Sequence, residues 1–498
     1  MDLSQFAFGA RGSSGGGGSR RGPKPPSYWS ARGGKRRAHW DVLNDDALDS
    51  VLSLLDDRQL AQLARCDKRT RRLARAAARR FLGLSNSQWE AYKAVLERGE
   101  SVLIMGAPGS GKSFLLNVLK ERMPKPLITA STGAAAEKIG AQTFHSALTL
   151  GLGTMTPAQI MRRPAMYREK MASCRSIVLD EIAMLTAHVL DLGAEVLRQT
   201  RGGIPQFVAC GDPLQLRAVA ADEDGPFYKS KLVKKRLKPY ILRESHRQGS
   251  RSKFLAILNR ARLGKAVAGD VHWLQACALK AAPGGTRPPK LVCTNVEAFA
   301  HNKLCMEELP HAITVNYMVA LTGTDAAHAA WSWTGMPFAT TLSLKIGARV
   351  LLTVNLRGPG YEGLHNGSTG TVAAMSGSSV FVQFDCGTEA HIHRHKMERE
   401  EEGKVIATRS QMPLIVAFAV SIHRAQGATL DLVDVDVARA FAAGQTYVAL
   451  SRARRIDHIV LNGLTLTKLN HVDREAMAFY QETQRQVATR VRSARAPS

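Results

Sequence analysis

Residues Gly106-Ala-Pro-Gly-Ser-Gly-Lys-Ser113 constrain the fold of this chain more than any other stretch. Glycines, a lysine and a serine at these offsets cradle a phosphate only where a strand ends and a helix begins. There, successive backbone N–H groups curl around the anion at a helix N-terminus. Both flanks are present: the apolar run Ser101–Met105 precedes the loop and the helix-like Phe114–Arg122 follows it. Beyond Leu84, short β-branched apolar runs alternate with helical segments, the pattern of an α/β fold with a parallel sheet. Strands are predicted at Val102–Met105, Leu127–Ala130, Ile177–Leu179, Gln206–Cys210, Lys290–Cys293 and Val416–Val420.

The loop implies a nucleoside triphosphate as ligand, with Gly106, Ala107, Pro108, Gly109, Ser110 and Gly111 lining the phosphates. Lys112 would reach the β- and γ-phosphates and Ser113 would ligate Mg²⁺. A carboxylate on a neighbouring strand is needed, and the run IVLDE supplies one. Asp180 is placed to hold Mg²⁺ through its water shell, and Glu181 to orient the attacking water. Gln215 follows another apolar strand in GDPLQL and can sense the γ-phosphate, with Asp212 fixing that loop. Phosphoryl transfer builds charge on the γ-oxygens, so Arg247 in LRESHRQ and Arg452 in YVALSRAR are candidate arginine forks.

The 498 residues suggest two to four domains. With 68 Lys+Arg against 42 Asp+Glu, the net charge is +26, which draws polyanions and makes nucleic acid the first partner to consider. The excess is not confined to a basic tail. Residues 1–40 hold eight Lys/Arg and one Asp, leaving about +19 spread over the remainder. Seven scattered cysteines, none in a CxxC pair, fit a reducing compartment and argue against a disulfide framework or a zinc module. The three histidines of His391-Ile-His-Arg-His395 share one strand face, yet no carboxylate or cysteine stands at ligand spacing, so a basic surface strand is expected there. No apolar run approaches the roughly 20 residues of a membrane helix, and a secretory signal is not expected.

Composition shifts mark the domain boundaries. Residues 1–39 are Gly/Ser/Arg/Pro-rich and read as a disordered basic arm; Gly34-Lys-Arg-Arg37 is expected to be solvated linker, with a nuclear address or a DNA-touching element as the other readings. Residues 40–82 have helical periodicity. This segment resembles an F-box through Leu43, Asp45, Leu48, Val51, Leu52, Leu55, Asp56, Leu60, Leu63 and Cys66, although Asn44 replaces the usual proline and Thr70 a common tryptophan. The resemblance implies a Skp-type adaptor as partner; a small helical cap on the rest of the chain is the other reading. A first lobe is expected over 83–235, and a second over 236–339 and 412–466. Short strands separated by glycine turns suggest a small inserted β-barrel at 340–411, and a C-terminal helix with a basic tail occupies 467–498.

An ordered series runs through residues 84–463. It comprises Gln88 in LSNSQWEAY, GAPGSGKS, TASTGAAAEKIGAQTFHS, VLDEIAML, GGIPQFVACGDPLQL, LRESHRQ, FLAILNRARLGK, LHNGSTGTV, QMPL, SIHRAQGATLD and GQTYVALSRAR. The series resembles the petite-integration-frequency (PIF) helicases of superfamily one (type B), which are related to RecD. The resemblance implies two RecA-like lobes with parallel sheets, ATP and Mg²⁺ between them, and 5′→3′ movement on single-stranded DNA with opening of forked duplex. It also implies a role in replication, repair, recombination or telomere maintenance, in the nucleus, a mitochondrion or a viral replication site. Gln88 would contact adenine, and Gly427 would approach the nucleotide from the second lobe. The strand path would be lined by Thr132, Gly133, Thr143, Phe144, His145 and Ser146 in the first lobe. Ser421, His423 and Arg424 would line it in the second, with hydroxyls gripping phosphates and Phe144 or His145 stacking a base; core packing is the other reading of Phe144. The chain departs from the family pattern at Val189–Arg201, which matches the signature helix only loosely, and at Arg424 and Ala425, where Lys and Ser are frequent. Two other readings compete: a motor directed to RNA or an RNA–DNA hybrid, and an adaptor that targets a ubiquitin ligase to DNA.

Overall fold

The computed structural model describes Arg79 and residues 82–493, apart from 133–134, 137–138, 151–155, 163–168, 170, 219–220, 245–251, 281–287, 311–313, 319, 324–340, 355, 357, 362–363, 365–367, 402–403, 428–429 and 431. The basic arm, the F-box-like segment apart from Arg79 and Leu82, Gly133 and Arg247 lie outside the described residues.

Helix α1 (Asn86–Leu96) opens the first lobe because Ser85 and Gln88 satisfy its free amides reciprocally. Gln88 Oε1 accepts from Ser85 N at 2.8 Å, and Ser85 Oγ accepts from Gln88 N at 3.4 Å. The first sheet contains β1 (Val102–Met105), β2 (Pro126–Ala130), β3 (Gln142–Thr143), β4 (Ser176–Asp180), β5 (Gln206–Gly211) and β6 (Lys238–Ile241). Their order is β3-β2-β4-β5-β1-β6, and every pairing is parallel. All residues of β1 and β4 are buried, as expected of strands covered by helices on both faces. Helix α2 (Lys112–Arg122) follows β1 through the phosphate loop, and α3 (Ala187–Arg201), capped by Thr186, covers the sheet with Val189, Leu190, Val196 and Leu197. Burying each such side chain stabilises by roughly 1.5–3 kcal/mol. The lobe extends beyond the expected boundary at 235, because β6 pairs with β1.

The second lobe begins with α4 (Lys253–Arg262) and β7 (Lys290–Val292). The chain then leaves for an antiparallel insertion: β8 (Val315–Met318), β9 (Ala320–Gly323), β10 (Thr341–Leu344), β11 (Arg349–Leu352), β12 (Thr369–Met375), β13 (Ser379–Phe384), β14 (Glu389–His393), β15 (His395–Glu401), β16 (Lys404–Gln411) and β17 (Leu414–Val416). It returns through β18 (Ala419–Ser421), β19 (Val433–Asp436) and β20 (Ile459–Asn462) to complete a parallel sheet ordered β18-β7-β19-β20. The strand expected over Val416–Val420 is therefore two strands. β17 pairs antiparallel with β11 in the insertion, and β18 pairs parallel with β7 in the lobe.

The insertion spans 315–416, wider than the 340–411 expected. Among the described residues the small β-barrel expected here comprises a five-stranded sheet, β14-β13-β12-β11-β17, with a three-stranded and a two-stranded ribbon. It has its own core around Tyr317, Val350, Val382 and Ile392. After β20, the helix expected in the tail forms as α6 (Arg474–Ser493) and runs back to the first lobe, where Ala476 and Tyr480 join that lobe's core. No helix among the described residues is long and apolar enough to cross a membrane.

Candidate nucleotide and strand-binding site

The phosphate loop turns from β1 into α2, which brings Lys112 back under it. Lys112 is 8% exposed, and its Nζ donates to Gly106 O at 2.8 Å and Ala107 O at 3.1 Å. Ser113 Oγ donates to Asp180 Oδ2 at 3.2 Å, so the hydroxyl and carboxylate expected to share Mg²⁺ face each other. Asp180 Oδ1 accepts from Glu181 N at 2.9 Å. Glu181 itself sits at φ 53°, in the left-handed region, at the turn after β4. An ordinary residue held there stores strain, a feature that clusters at active sites.

Three groups at this site are buried without a hydrogen-bond partner among the described residues: Ser110 Oγ, Glu181 Oε2 and both polar atoms of the Gln426 amide. A buried polar atom is costly unless something pairs with it. Gln426 comes from the second lobe, and its neighbour Gly427 faces Glu181: a β-carbon on Gly427 would stand 4.0 Å from Glu181 Oε1. The second lobe thus reaches the carboxylate that follows β4, and the first lobe keeps Ser110 Oγ and Glu181 Oε2 open to a polyphosphate and its hydrated cation.

Gln215 is 6% exposed, and its N–H donates to Asp212 O at 3.2 Å. Arg452 is 1% exposed and follows α5 (Gln445–Leu450). Its guanidinium donates to Val448 O and Ser451 Oγ, each at 2.8 Å, and to Ala425 O at 3.5 Å. It therefore ties the end of α5 to the loop that carries Gln426. Gln88, expected at adenine, directs Nε2 to Gly111 O at 3.1 Å and so links α1 to the phosphate loop. Glu244, three residues before Arg247, accepts from Ser87 Oγ and from Ser87 N. Burial pushes its carboxyl up, but these bonds outweigh it and hold the group below the usual range.

The expected strand contacts divide into two groups. Thr132 Oγ1 accepts from Ala135 N and Thr143 Oγ1 from Ser146 N, both at 3.2 Å, which leaves each hydroxyl hydrogen available to a phosphate. Ser146 and Arg424 are exposed, while His145 and His423 are half-buried, and burial pushes both imidazoles below their usual 6.5. Two expectations need correction. Phe144 is fully buried and meets Phe207 edge-on at 6.3 Å, so its ring belongs to the core and cannot stack on a base. Ser421 is 2% exposed and gives its hydroxyl to Asn295 Oδ1 at 2.7 Å, so it holds a neighbour instead of facing outwards. Asn295 is the exposed member of that pair. Sequence reasoning missed it, although its position just after a strand, as Thr132 follows β2, was a usable signal. Arg262 was also missed; it lies on the apolar face of α4 with Phe254 and Leu258.

Two parallel sheets, a phosphate loop at the end of β1 and a carboxylate at the end of β4, with β5 between those two strands, define a P-loop nucleotide-binding protein with two RecA-like lobes. The PIF1-like helicase family model matches residues 83–263. The chain is 35% identical over 398 residues to the human ATP-dependent DNA helicase PIF1, covering 75% of this chain and 60% of that protein. It is 30% identical over 406 residues to the ATP-dependent DNA helicase Pif1 of Bdellovibrio bacteriovorus, covering 78% of this chain and 90% of that one. The crystal structure of the Pif1 helicase from Candida albicans superposes with a TM-score of 0.70 at 28% identity, over 80% of this chain and 99% of that chain. The chain belongs to the PIF1-like helicase family. It spans about 60% of the length of the vertebrate relatives it matches.

Proposed function

We propose that this chain is an ATP-driven motor that moves 5′→3′ along single-stranded DNA and opens forked duplex. The observation that carries the reading is the approach of the two lobes at an intact phosphate loop's catalytic carboxylate: the β-carbon position of Gly427 stands 4.0 Å from Glu181 Oε1, and Ser110 Oγ and Glu181 Oε2 are buried with no hydrogen-bond partner among the described residues. Relatives named as ATP-dependent DNA helicases support the DNA substrate, and the 5′→3′ direction is what the resemblance of the motif series implies.

On this reading Lys112 exchanges the Gly106 and Ala107 carbonyls for the β- and γ-phosphates of ATP. Ser113 and Asp180 would hold Mg²⁺, which supplies positive charge at the phosphoryl oxygens. Glu181 orients the attacking water, while Gln215 senses the γ-phosphate. Arg452 and Arg247 stabilise the charge that develops during transfer. Closure of the lobes alternates the grip of Thr132, Thr143 and Ser146 on the strand with that of Asn295, His423 and Arg424.

The test is hydrolysis and unwinding by the purified full chain, with 5′- and 3′-tailed duplexes and with DNA and RNA tracking strands. Strand-stimulated hydrolysis that Lys112→Ala abolishes, with opening of the 5′-tailed DNA duplex, is the expected result. Turnover by Lys112→Ala at the wild-type rate would overturn the nucleotide assignment, and preference for the 3′-tailed duplex would overturn the polarity. A preference for RNA would favour the RNA-directed reading.

The F-box-like residues support a second role within the same proposal, docking of a Skp-type adaptor through Trp40–Arg80. The full chain should retain such an adaptor in a pull-down and lose it on Leu52→Asp, with DNA-stimulated hydrolysis unchanged. If the full chain retains no adaptor, the docking role falls. A place of action in the nucleus, a mitochondrion or a viral replication site belongs to this proposal too, through its DNA substrate.

A further inference from the structure

The loop that carries Gln215 is gripped from behind by the second lobe. Asp212, completely buried, receives a two-pronged contact from Arg262 at the end of α4: Nε to Oδ2 at 2.9 Å and Nη2 to Oδ1 at 2.6 Å. Oδ1 of the same carboxylate accepts from Leu214 N at 3.2 Å, and Asp212 O accepts from Gln215 N at 3.2 Å. An arginine fork meets a carboxylate in one plane, so the direction of the guanidinium sets that of the Asp212 side chain and of the turn folded on it.

Two further contacts bear on the same turn. Gly444, at the start of α5, comes so close that a β-carbon there would stand 3.0 Å from Leu214 O. Leu214 belongs to the first-lobe core and Leu216 to the second, so the turn itself crosses between the lobes. The guanidinium of Arg262 is covered by the ring of Tyr480, 4.5 Å away, on α6. That helix is anchored to the first lobe by Lys229–Glu475 at 2.7 Å, by Phe479 stacked on Tyr228 at 4.9 Å, and by Arg490 over Tyr240 at 4.2 Å.

Burying an ion pair stabilises a fold no better, and often less, than well-packed apolar residues of the same volume, because desolvation offsets the attraction. Burial opposes the charge on Arg262, and the Asp212 carboxylate beside it more than offsets that cost, so the guanidinium is held firmly in its charged form. What the pair supplies that a leucine could not is direction. We propose that Arg262 is a positioning residue for nucleotide hydrolysis. It orients the Gln215 loop through Asp212, and Tyr480 of the C-terminal helix holds it in place. The proposal rests on the reading of the chain as an ATP-driven motor and extends it to the C-terminal helix.

The experiment compares the full chain with Arg262→Lys, Arg262→Gln, Tyr480→Phe and Tyr480→Leu. It measures kcat and KM for ATP with saturating single-stranded DNA, the melting temperature, and amide hydrogen exchange over residues 212–216 without nucleotide. In Arg262→Lys the charge remains but the fork is lost, so kcat should fall about tenfold to a hundredfold, as displaced catalytic groups do. KM for ATP should stay within about twofold because Lys112 and Ser113 are untouched. Exchange at Leu214 and Gln215 should quicken in the same variant. Tyr480→Phe, which keeps the ring, should behave as wild type, and Tyr480→Leu should reproduce part of the Arg262→Lys defect should Arg262→Gln fail to fold. A lower melting temperature with wild-type kcat in Arg262→Lys and Tyr480→Leu would overturn the proposal, as would unchanged exchange over 212–216. A wild-type chain that hydrolyses no ATP would refute the motor reading instead, and the exchange data would still judge the clamp.

Discussion

Gly427 and Glu181 face each other across the two lobes, with the β-carbon position of Gly427 4.0 Å from Glu181 Oε1 and its backbone at φ 85°. The turn beside the candidate catalytic carboxylate is therefore built on a conformation that L side chains resist. The neighbouring Gln426 amide is buried, with no hydrogen-bond partner among the described residues.

Gly427→Ala should disturb this turn before it disturbs the fold. The left-handed backbone costs a non-glycine residue about 1–2 kcal/mol. The expected outcome is a melting temperature lowered by only a few degrees, with ATP turnover reduced on the order of tenfold. Parallel melting curves and steady-state hydrolysis would check this, and normal turnover would mean that the turn has no part in the chemistry.

Phe144 and His145 are adjacent, but their substitution should have opposite effects. Phe144→Ala removes a fully buried ring and should cost about 3–5 kcal/mol of stability, with strand affinity intact in the folded fraction. His145→Ala should leave stability nearly unchanged and weaken single-strand binding by about 1–3 kcal/mol if the imidazole stacks a base. Urea denaturation and fluorescence anisotropy separate the two.

Arg452→Lys keeps the charge and loses the fork. A lysine cannot serve Val448 O, Ser451 Oγ and Ala425 O together, so stability should fall by about 1–3 kcal/mol. If the residue also acts on the γ-phosphate, turnover should drop about 10³-fold. A stability loss with turnover preserved would assign Arg452 to the architecture of the second lobe alone.

Binding of the strand should depend on pH through His423. Burial holds its imidazole below 6.5, so the ring is neutral near pH 7. A phosphate beside it would favour the imidazolium, so binding would take up a proton and affinity should rise between about pH 7.5 and 6. Stability should move the other way: the unfolded chain protonates first as pH falls below 6.5, and the folded state loses stability there. His423→Asn should flatten the affinity profile; equal slopes in variant and wild type would remove His423 from the strand path.

Much of the nucleotide site was legible in the amino-acid order, because its parts are local. A phosphate loop is eight consecutive residues between a strand and a helix, and the run ending in Asp180-Glu181 is itself the strand that delivers them. Buried parallel strands are apolar on both faces, so β1, β4 and β5 were found within a residue or two of their ends. Arg247 and the F-box-like segment apart from Arg79 and Leu82 lie outside the described residues.

Tertiary structure decided what depends on partners far along the chain. Asp212 and Arg262 are 50 residues apart, and neither residue's neighbours announce the fork between them. Phe144 and Ser421 stand in strand-contact segments, yet packing turned one into the core and gave the other's hydroxyl to Asn295. The apolar run Val416–Val420 suits either sheet equally well; only the hydrogen-bonding edges offered by β11 and β7 divide it in two. The return of α6 to the first lobe has the same origin: helical periodicity shows that a helix has an apolar face, and the surface that buries it is a property of the assembled fold.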